Sequence, residues 1–469
     1  MNPKILIAIE DLLLEKEIKS IFAKNEFEYK NLANENDIDW SEFKNNLRTN
    51  DKNQIILYLK KPKIKYNSNI DLLNEENLDI IFKWIEKFNK VHQNILQLNQ
   101  NKEIKILYIT NSSENNDPIE IIINNYIWKY YEGLFIESKI YGIELGMIFK
   151  NSNHSFWNYA SNIINFFQNK NKALFTNITK QELNNEIVTR SKVQHNKVIN
   201  WNNDSKKVAI VTGASGGIGL EIGKYLINKN WKVYSLSRNF GIHHGIIYIT
   251  CDLKNSNDIE KTVNEILKKE KKIHLLVNNS GYGIGSSLEN LENNEFEQMY
   301  KLNVIGALNL IRTLQPILSQ SEGTIINIGS MAGIFTIPFQ SAYSLTKAMI
   351  DTYSEIIMRD LNSKNIYIST LMPGDTKSNF SKNRVISSKD KNTRYEERIN
   401  KSIKKMEYDE SKGHNPKLIA KTMYKYLHKH KIPIRFTVGK YKLVFFLSKK
   451  ICHVTTEKII NKLYGVNKK

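Results

Sequence analysis

Lys207-Val208-Ala209-Ile210-Val211-Thr212-Gly213-Ala214-Ser215-Gly216-Gly217-Ile218-Gly219 is the stretch that decides the fold. Its first half is a continuous apolar run, the pattern of a strand buried on both faces. The run ends in a glycine turn, and residues 220–226 continue as a helix. Such a turn lets the backbone approach a pyrophosphate and aims free N–H groups and the helix dipole at it. The spacing Gly213-x-x-x-Gly217-x-Gly219 differs from the Gly-x-Gly-x-x-Gly dinucleotide fingerprint but keeps its mechanics.

Downstream, apolar strand patterns alternate with helical ones: 232–236, 258–268, 273–277, 296–318 and 324–328. Alternation of this kind gives a parallel sheet with helices on both faces, so the expected fold is α/β, doubly wound and Rossmann-like. Gly323-Thr324-Ile325-Ile326-Asn327-Ile328-Gly329-Ser330 reads as a buried strand that delivers a hydroxyl at its carboxyl end. Beyond it, Ser341-Ala342-Tyr343-Ser344-Leu345-Thr346-Lys347 places a phenol and an ammonium one helical turn apart on one face. A nearby positive charge favours the phenolate, so Lys347 is expected to lower the pKa of Tyr343 toward the range of a general acid/base. A Tyr-x-x-x-Lys pair alone says little in a chain with 23 tyrosines. Its weight comes from the motifs around it.

Thr212-Gly213-x-x-x-Gly217-x-Gly219, Asp252-Leu253, Asn278-Asn279-Ser280-Gly281, Asn303, Ser330, Tyr343/Lys347 and Pro373-Gly374 with Thr376 occur in this order over residues 205–440. In order and spacing this half of the chain resembles the short-chain dehydrogenases/reductases. The resemblance implies a catalytic tetrad of Asn303, Ser330, Tyr343 and Lys347. In it Tyr343 exchanges the proton at the substrate oxygen, and Ser330 donates a hydrogen bond to that oxygen. Lys347 biases the tyrosine and bonds the nicotinamide ribose, while Asn303 orders a water that relays protons to Lys347. The resemblance also implies a cofactor surface made by Gly213, Ser215, Gly217, Ile218 and Gly219 at the pyrophosphate. Asp252 and Leu253 would lie at the adenine, with Asn279, Ser280 and Gly281 at the end of the fourth strand. Tyr343 and Lys347 would touch the ribose, and Pro373, Gly374 and Thr376 would fix the nicotinamide amide. Ser280 stands where the family usually has alanine.

The cofactor expectation is NADP(H) rather than NAD. The second strand ends Leu236-Ser237-Arg238-Asn239. A carboxylate there would bind a ribose 2′-hydroxyl and repel a 2′-phosphate; Ser237 supplies none, and Arg238 offers a guanidinium suited to phosphate. The expected activity is reduction of a carbonyl to a secondary alcohol, or the reverse. The expected substrate is a small-molecule carbonyl or alcohol, free or linked to an acyl carrier protein or coenzyme A. A non-catalytic cofactor sensor or scaffold is the alternative from another class, and homo-oligomer formation is left open.

The first 200 residues read differently. They hold only Gly133, Gly142 and Gly146 of the 21 glycines, so no phosphate cradle forms there. Strands are expected at 5–9, 54–59, 104–110 and 140–148, with helices at 12–23, 78–98 and 119–137. The order 104–112, 119–137, 140–148 echoes 324–330, the helix carrying Tyr343, and 366–372. Residues 157–167 and 173–175 likewise echo 418–427 and 434–436. An offset of about 220 residues is outside the solenoid range and suggests a degenerate duplicate domain. Positions equivalent to Tyr343 and Lys347 fall near Asp117 and Ile121. The expected organisation is a degenerate Rossmann-like domain at 1–180 and a join at 181–206. The catalytic domain follows at 207–440, then a basic tail at 441–469. A structural half ahead of a catalytic half also resembles the ketoreductase modules of polyketide synthases in layout.

Bulk properties bound the rest. The chain has 469 residues, 41% of them hydrophobic and 25% charged, which describes a globular protein of two domains. A formal net charge of +20 accompanies high Lys, Asn and Ile throughout, without an Arg-rich helix, zinc spacing or RNA-binding motif, so nucleic acid is not an expected partner. Cys251 and Cys452 are too few for a disulfide framework or a metal cluster. No run approaches 18 apolar residues and the N-terminus is acidic where a signal peptide needs an apolar run, so the cytoplasm is the expected location. The tail run Leu443-Val444-Phe445-Phe446-Leu447 is expected to pack on the domain rather than lie on a membrane. The segment 377–413, rich in Lys, Ser and Asn, is expected to be a mobile lid with few apolar anchors.

Overall fold

The computed structural model describes residues 206–448 except 379 and 430. In the first half it describes 52–59, 72–98, 103–111, 117–138 and 143–150, with shorter pieces including 5–9 and 29–31. Most of the expected helix 12–23, the echo at 157–175, most of the join at 181–206, and the tail beyond 448 with Cys452 lie outside the described residues. Two compact units divide the chain, with one division inside the first long helix, at Ile80/Ile81.

The first unit carries a parallel sheet of β1 (Ile5–Ile9), β2 (Tyr29–Asn31), β3 (Lys52–Tyr58), β4 (Glu103–Asn111) and β5 (Ile143–Lys150), in the order β2-β1-β3-β4-β5. Helix α1 (Glu75–Leu98) lies between β3 and β4 in sequence, and α2 (Pro118–Ser138) between β4 and β5. Ile81, Trp84, Ile85 and Phe88 recur on the buried face of α1, as their helical spacing dictates. Phe88 packs edge-on against Tyr108, Tyr126 and Tyr130. His92 completes this core through Tyr131 Oη at 2.8 Å and Phe88 O at 2.8 Å, and burial pushes its imidazole down to about 4. Asp117 starts α2 by accepting from Ile119 N at 2.9 Å, ahead of Pro118 in the first helical turn. Ile121 is buried. Neither position offers a proton donor and cation like Tyr343 and Lys347.

The second unit is built on β6 (Lys207–Thr212), β7 (Trp231–Ser237), β8 (Gly241–His243), β9 (Ile246–Thr250), β10 (Leu275–Asn278), β12 (Thr324–Ile328), β13 (Tyr367–Met372) and β15 (Arg435–Thr437). A short strand β11 (Ile284–Gly285) follows β10, and its partner β14 (Val385–Ile386) follows β13. The main sheet runs β8-β9-β7-β6-β10-β12-β13-β15, parallel throughout except for β8. This is a doubly wound Rossmann-like order that reverses between β6 and β10, so the ligand crevice of such a sheet opens at the carboxyl ends of those strands. The apolar run deciding the fold is buried from Val208 to Val211, and Ala209, Val211, Ile222, Leu226, Val277 and Ile326 share one core cluster. Each fully buried aliphatic side chain of this kind contributes about 1.5–3 kcal/mol.

Helices α3 (Gly217–Ile227), α4 (Ser256–Leu267), α5 (Asn293–Tyr300), α6 (Gly306–Gln320), α7 (Ser341–Ser363), α8 (Glu396–Ser411), α9 (Pro416–Leu427) and α10 (Tyr441–Ser448) complete the unit. Asn255 and Asn415 cap α4 and α9 with side-chain oxygens, whereas α3 begins at Gly216 with no side-chain cap. A π-helical turn, Lys301–Ile305, interrupts the expected single helix over 296–318 between α5 and α6.

The segment 377–413 is anchored, which corrects the expectation of a lid with few fixed points. Its anchors are polar, which is why an apolar count overlooks them. Buried Asp390 accepts from Ser286 Oγ at 2.8 Å, Ser287 N at 3.0 Å, Ser287 Oγ at 2.7 Å and Asn290 Nδ2 at 2.9 Å. Glu289 takes Arg394 Nη2 and Tyr395 Oη, both at 2.5 Å, and Ile399, Ile403 and Met406 of α8 are buried. Cys251 is buried and unbridged, with its thiol pushed up to about 11 by burial.

Candidate active site

The glycine turn is shaped by its own backbone and held from below. Gly213 and Gly217 adopt φ of +64° and +56°, a region that favours glycine. Thr212 Oγ1 accepts from Asn279 N at 2.8 Å and Ser280 N at 2.9 Å. Asn279 Nδ2 answers by donating to Thr212 O at 3.0 Å and Gly213 O at 3.3 Å. This reciprocal clamp joins the ends of β6 and β10 across the point where the strand order reverses. Ser235 Oγ accepts from Ala214 N at 3.2 Å and Tyr248 Oη donates to Ala214 O at 2.7 Å, so the turn is fixed from β7 and β9 as well. A Cβ on Gly219 would stand 2.5 Å from Asn279 Nδ2 and 2.6 Å from Gly213 O, so only glycine fits there. A Cβ on Gly216 would meet nothing within 4 Å. No side chain caps the first N–H groups of α3, as an anion cradle requires, although Ser378 stands beside Gly217, where a Cβ would lie 3.2 Å from Ser378 Cβ. Ser215 is exposed and Ile218 packs on the core.

Further along the sheet edge, Ser237 Oγ accepts from Asn239 N at 3.2 Å. Arg238 is exposed and makes no hydrogen bond or ion pair among the described residues. Asp252 turns the chain after β9 by accepting from Lys254 N at 3.1 Å, and Leu253 is buried beside it.

Tyr343, Lys347, Ser330 and Asn303 come together at the carboxyl ends of β10 and β12. Tyr343 and Lys347 are 8% and 5% exposed. Lys347 Nζ donates to Ile328 O at 2.8 Å and lies 5.8 Å from the centroid of the Tyr343 ring. Ser330 bonds the Tyr343 hydroxyl and accepts from Ala332 N at 3.1 Å. Asn303 sits within the π turn, a distortion frequent at functional sites. Its side chain accepts from Tyr282 N at 3.1 Å and donates to Tyr282 O at 2.9 Å and Thr346 Oγ1 at 3.1 Å. A Cβ on Gly281 would lie 2.8 Å from Asn303 Oδ1 and 3.7 Å from Lys347 Nζ, so the backbone after β10 passes close to both. A cavity of about 10 Å³, enough for about one water, is lined by Asn303, Lys347, Asn278, Ser280 and Thr212.

The electrostatics correct one expectation. Burial holds the Tyr343 phenol above its ordinary pKa; the Ser330 bond and the Arg384 charge oppose this, and the Glu410 charge adds to it. The lowering expected from Lys347 does not prevail, because enclosure penalises a phenolate and acts on the ammonium too. Burial pushes Lys347 down to about 8. At neutral pH the site therefore presents a protonated phenol beside a protonated amine.

The turn after β13 closes the other side. Met331 N donates to Pro373 O at 2.9 Å, tying this turn to the loop of Ser330. Thr376 Oγ1 donates to Gly374 O at 2.8 Å. Tyr441 at the start of α10 covers Gly374, and its hydroxyl accepts from Asp375 N at 3.1 Å. The beginning of the tail thus packs on the domain, while Leu443 and Val444 are exposed. Thr212, Phe380, Arg384, Glu410 and Tyr441 are the site's neighbours that sequence reasoning passed over. Only Thr212 had a signal, its place in the glycine motif. The others become neighbours of Tyr343 or Gly374 through the fold alone.

Among the described residues no helix is long and apolar enough to cross a membrane, and no cluster of His, Cys, Asp and Glu could hold a metal ion. Residues 207–388 match the family model for the short chain dehydrogenases. The chain is similar to the 3-ketodihydrosphingosine reductase of Bacteroides thetaiotaomicron, at 29% identity over 247 residues, 52% of this chain and 92% of that protein. It is similar also to the NADPH-dependent 1-acyldihydroxyacetone phosphate reductase of Saccharomyces cerevisiae, at 32% over 182 residues, 36% and 61% of the two chains. The crystal structure of a short-chain dehydrogenase from Streptomyces avermitilis aligns with a TM-score of 0.49 and 24% identity, covering 56% of this chain and 97% of that one. The family model over residues 207–388 and these sequence relatives identify the second half of the chain as a short-chain dehydrogenase/reductase domain, of a family of oxidoreductases acting on CH–OH and carbonyl groups.

Proposed function

We propose that the chain is an NADP(H)-dependent reductase that converts a carbonyl to a secondary alcohol, or runs the reverse reaction, with Tyr343 as the general acid/base. The observation that carries this reading is the convergence of Tyr343, bonded to Ser330, with Lys347 and Asn303 beside the crevice below the glycine cradle. The cradle residues fit a dinucleotide: Gly213 and Gly217 hold left-handed backbone, and the uncapped N-terminus of α3 would hold the pyrophosphate. Asp252, Leu253, Asn279, Ser280 and Gly281 would line its adenosine and ribose side, and Pro373, Gly374 and Thr376 its nicotinamide end. When bound, the dinucleotide supplies or accepts the hydride.

The chain's own residues do the rest. Ser330 Oγ donates to the carbonyl oxygen and stabilises charge that develops there. Tyr343 Oη delivers its proton to the same oxygen, and its raised pKa keeps it protonated for that task. The Lys347 ammonium lies below the phenol, and the cavity between it and Asn303 suits a single relay water. Arg238, which follows β7 and has no ion-pair partner among the described residues, favours a 2′-phosphate, and Ser237 supplies no carboxylate to repel it. Substrates linked to an acyl carrier protein or coenzyme A suit a chain with a net charge of +20. The first unit, with Asp117 and Ile121 where a proton donor and cation would stand, is inferred to be a cofactor-free duplicate.

Initial rates of NADPH and NADH oxidation over a panel of free and pantetheine-linked ketones test this reading. The expected result is turnover with NADPH at least about tenfold more efficient than with NADH. A clear NADH preference overturns the cofactor assignment, and absence of turnover with every ketone overturns the reaction.

A further inference from the structure

A second polar centre lies over the reaction site, and its reading rests on the carbonyl chemistry just proposed. Arg384 immediately precedes β14, which is locked against the strand leaving the cofactor crevice. Val385 N donates to Gly283 O at 3.0 Å and Ser387 N to Gly285 O at 3.1 Å. Phe380 and Tyr343 meet at Gly283: a Cβ there would lie 3.4 Å from Phe380 Cζ and 3.6 Å from Tyr343 Cδ2. The Phe380 ring is 5.2 Å from that of Tyr343, and the Arg384 guanidinium carbon is 5.9 Å from the Phe380 ring. Phe380 thus touches both the phenol and the guanidinium.

Only part of that guanidinium is used. The Arg384 side chain is 2% exposed, and its Nη2 donates to Glu410 at 2.6 Å. Nε and Nη1 are buried and have no hydrogen-bond partner among the described residues. A buried donor left unsatisfied is destabilising, more so when it is charged. Glu410 does not complete the set, since Ser381 Oγ also bonds to it. Burial raises the Glu410 carboxyl above its ordinary pKa, and the Arg384 charge opposes that rise. The Arg384 charge also acts on the Tyr343 phenol, consistent with its nearness to the reaction centre.

We propose that Arg384 is a specificity-determining residue whose Nε and Nη1 bind an anionic oxygen group, a carboxylate or a phosphate ester, carried by the carbonyl substrate several bonds from the reacting carbon. A guanidinium suits this task because it is planar, permanently charged and multidentate. The apolar Phe380 ring fills the distance between the two centres. The site so assigned reads a carbonyl at Tyr343 and a negative charge at Arg384 in one substrate.

Matched ketone pairs test this: a keto carboxylate against its methyl ester, and a keto phosphate ester against its parent alcohol. A charge-assisted hydrogen bond of about 1.5–3 kcal/mol corresponds to a preference of about tenfold to a hundredfold in kcat/KM for the anion, carried mainly in KM. Which pair shows it separates carboxylate from phosphate. The Arg384→Gln/Glu410→Gln double variant, which leaves no buried charge unpaired, should bring that ratio to within about twofold of unity, and Arg384→Lys should keep part of it. Should the double variant not fold, inhibition of the wild type by a carboxylate product analogue, at least about tenfold tighter than by its amide, reads the same contact. Wild-type ratios near one for both pairs, or a ratio the variants leave unchanged, overturn the Arg384 assignment while neutral-ketone turnover keeps the carbonyl reading. Loss of turnover with every ketone overturns both.

Discussion

Two glycines three residues apart should respond oppositely to the same added methyl group. At Gly219 a Cβ would lie 2.5 Å from Asn279 Nδ2, 2.6 Å from Gly213 O and 3.1 Å from Ala214 Cα. Two of these are backbone atoms of the turn, so relief must come from Asn279, which then releases Thr212 O and Gly213 O. Overpacking of this kind costs about 1–3 kcal/mol, and the released hydrogen bonds cost about 1 kcal/mol each. Gly219→Ala should therefore destabilise the second unit by about 3–5 kcal/mol, lowering its Tm by about 6–20 °C at about 2–4 °C per kcal/mol. At Gly216 φ is −167°, extended backbone open to any residue, and the space is free. Gly216→Ala should leave stability unchanged or raise it by about 0.4–1 kcal/mol through the unfolded chain. Thermal unfolding with and without NADPH reads both effects. NADPH at about a hundred times its Kd adds about 2.7 kcal/mol to a protein that binds it, an increment Gly219→Ala should largely lose. A Gly219→Ala protein that melts within about 1 °C of the wild type and keeps the NADPH increment would refute the clamp as the device that shapes the cradle.

Other outcomes follow from the same geometry. Lys347 is an ammonium below its pKa of about 8 and neutral above it, while Tyr343 stays protonated across this range. Reductive kcat/KM should therefore be level at neutral pH and fall through a single ionisation near pH 8, a limb that Lys347→Arg moves upward; a flat profile to pH 10 contradicts the role of the ammonium. Arg238→Ala should lower the NADPH-over-NADH preference by about tenfold or more, and an unchanged ratio of Michaelis constants counts against the 2′-phosphate contact. Asp390→Ala strands the donors of Ser286, Ser287 and Asn290 and should destabilise by about 2–5 kcal/mol, measured by denaturant unfolding, whereas a change under about 0.5 kcal/mol refutes the polar anchoring of 377–413.

What the sequence disclosed depends on how local the signal is. The strand–turn–helix at 207–226 and the pair Tyr343/Lys347 are encoded in short spacings, so the glycine turn and the helix bearing both side chains were legible from residue order. The parallel order of the sheet followed from alternation alone. The π turn at Lys301–Ile305 was not legible, because nothing in Asn303-Val304-Ile305-Gly306 departs from a helical pattern. The raised Tyr343 phenol was missed for a different reason: pairing with Lys347 is local, but burial is set by Phe380 and the segment folding over it. Arg384 and Glu410 illustrate the same limit, since a buried ion pair between residues 26 apart looks like two ordinary charges in a lysine-rich stretch. The anchoring of 377–413 through Asp390 escaped a reading that counted apolar residues, since its anchor is a carboxylate more than 100 residues from Ser287.

Single-turnover reduction by Tyr343→Phe, with NADPH affinity measured on the same protein, bears most directly on the reaction. The substitution removes one hydroxyl bonded to Ser330 and leaves the ring that packs on Phe380. The expected result is an NADPH Kd within about twofold of the wild type and a rate of reduction lower by about 10²–10⁴-fold, the usual contribution of a positioned general acid. Reduction within about tenfold of the wild-type rate would contradict proton transfer from Tyr343.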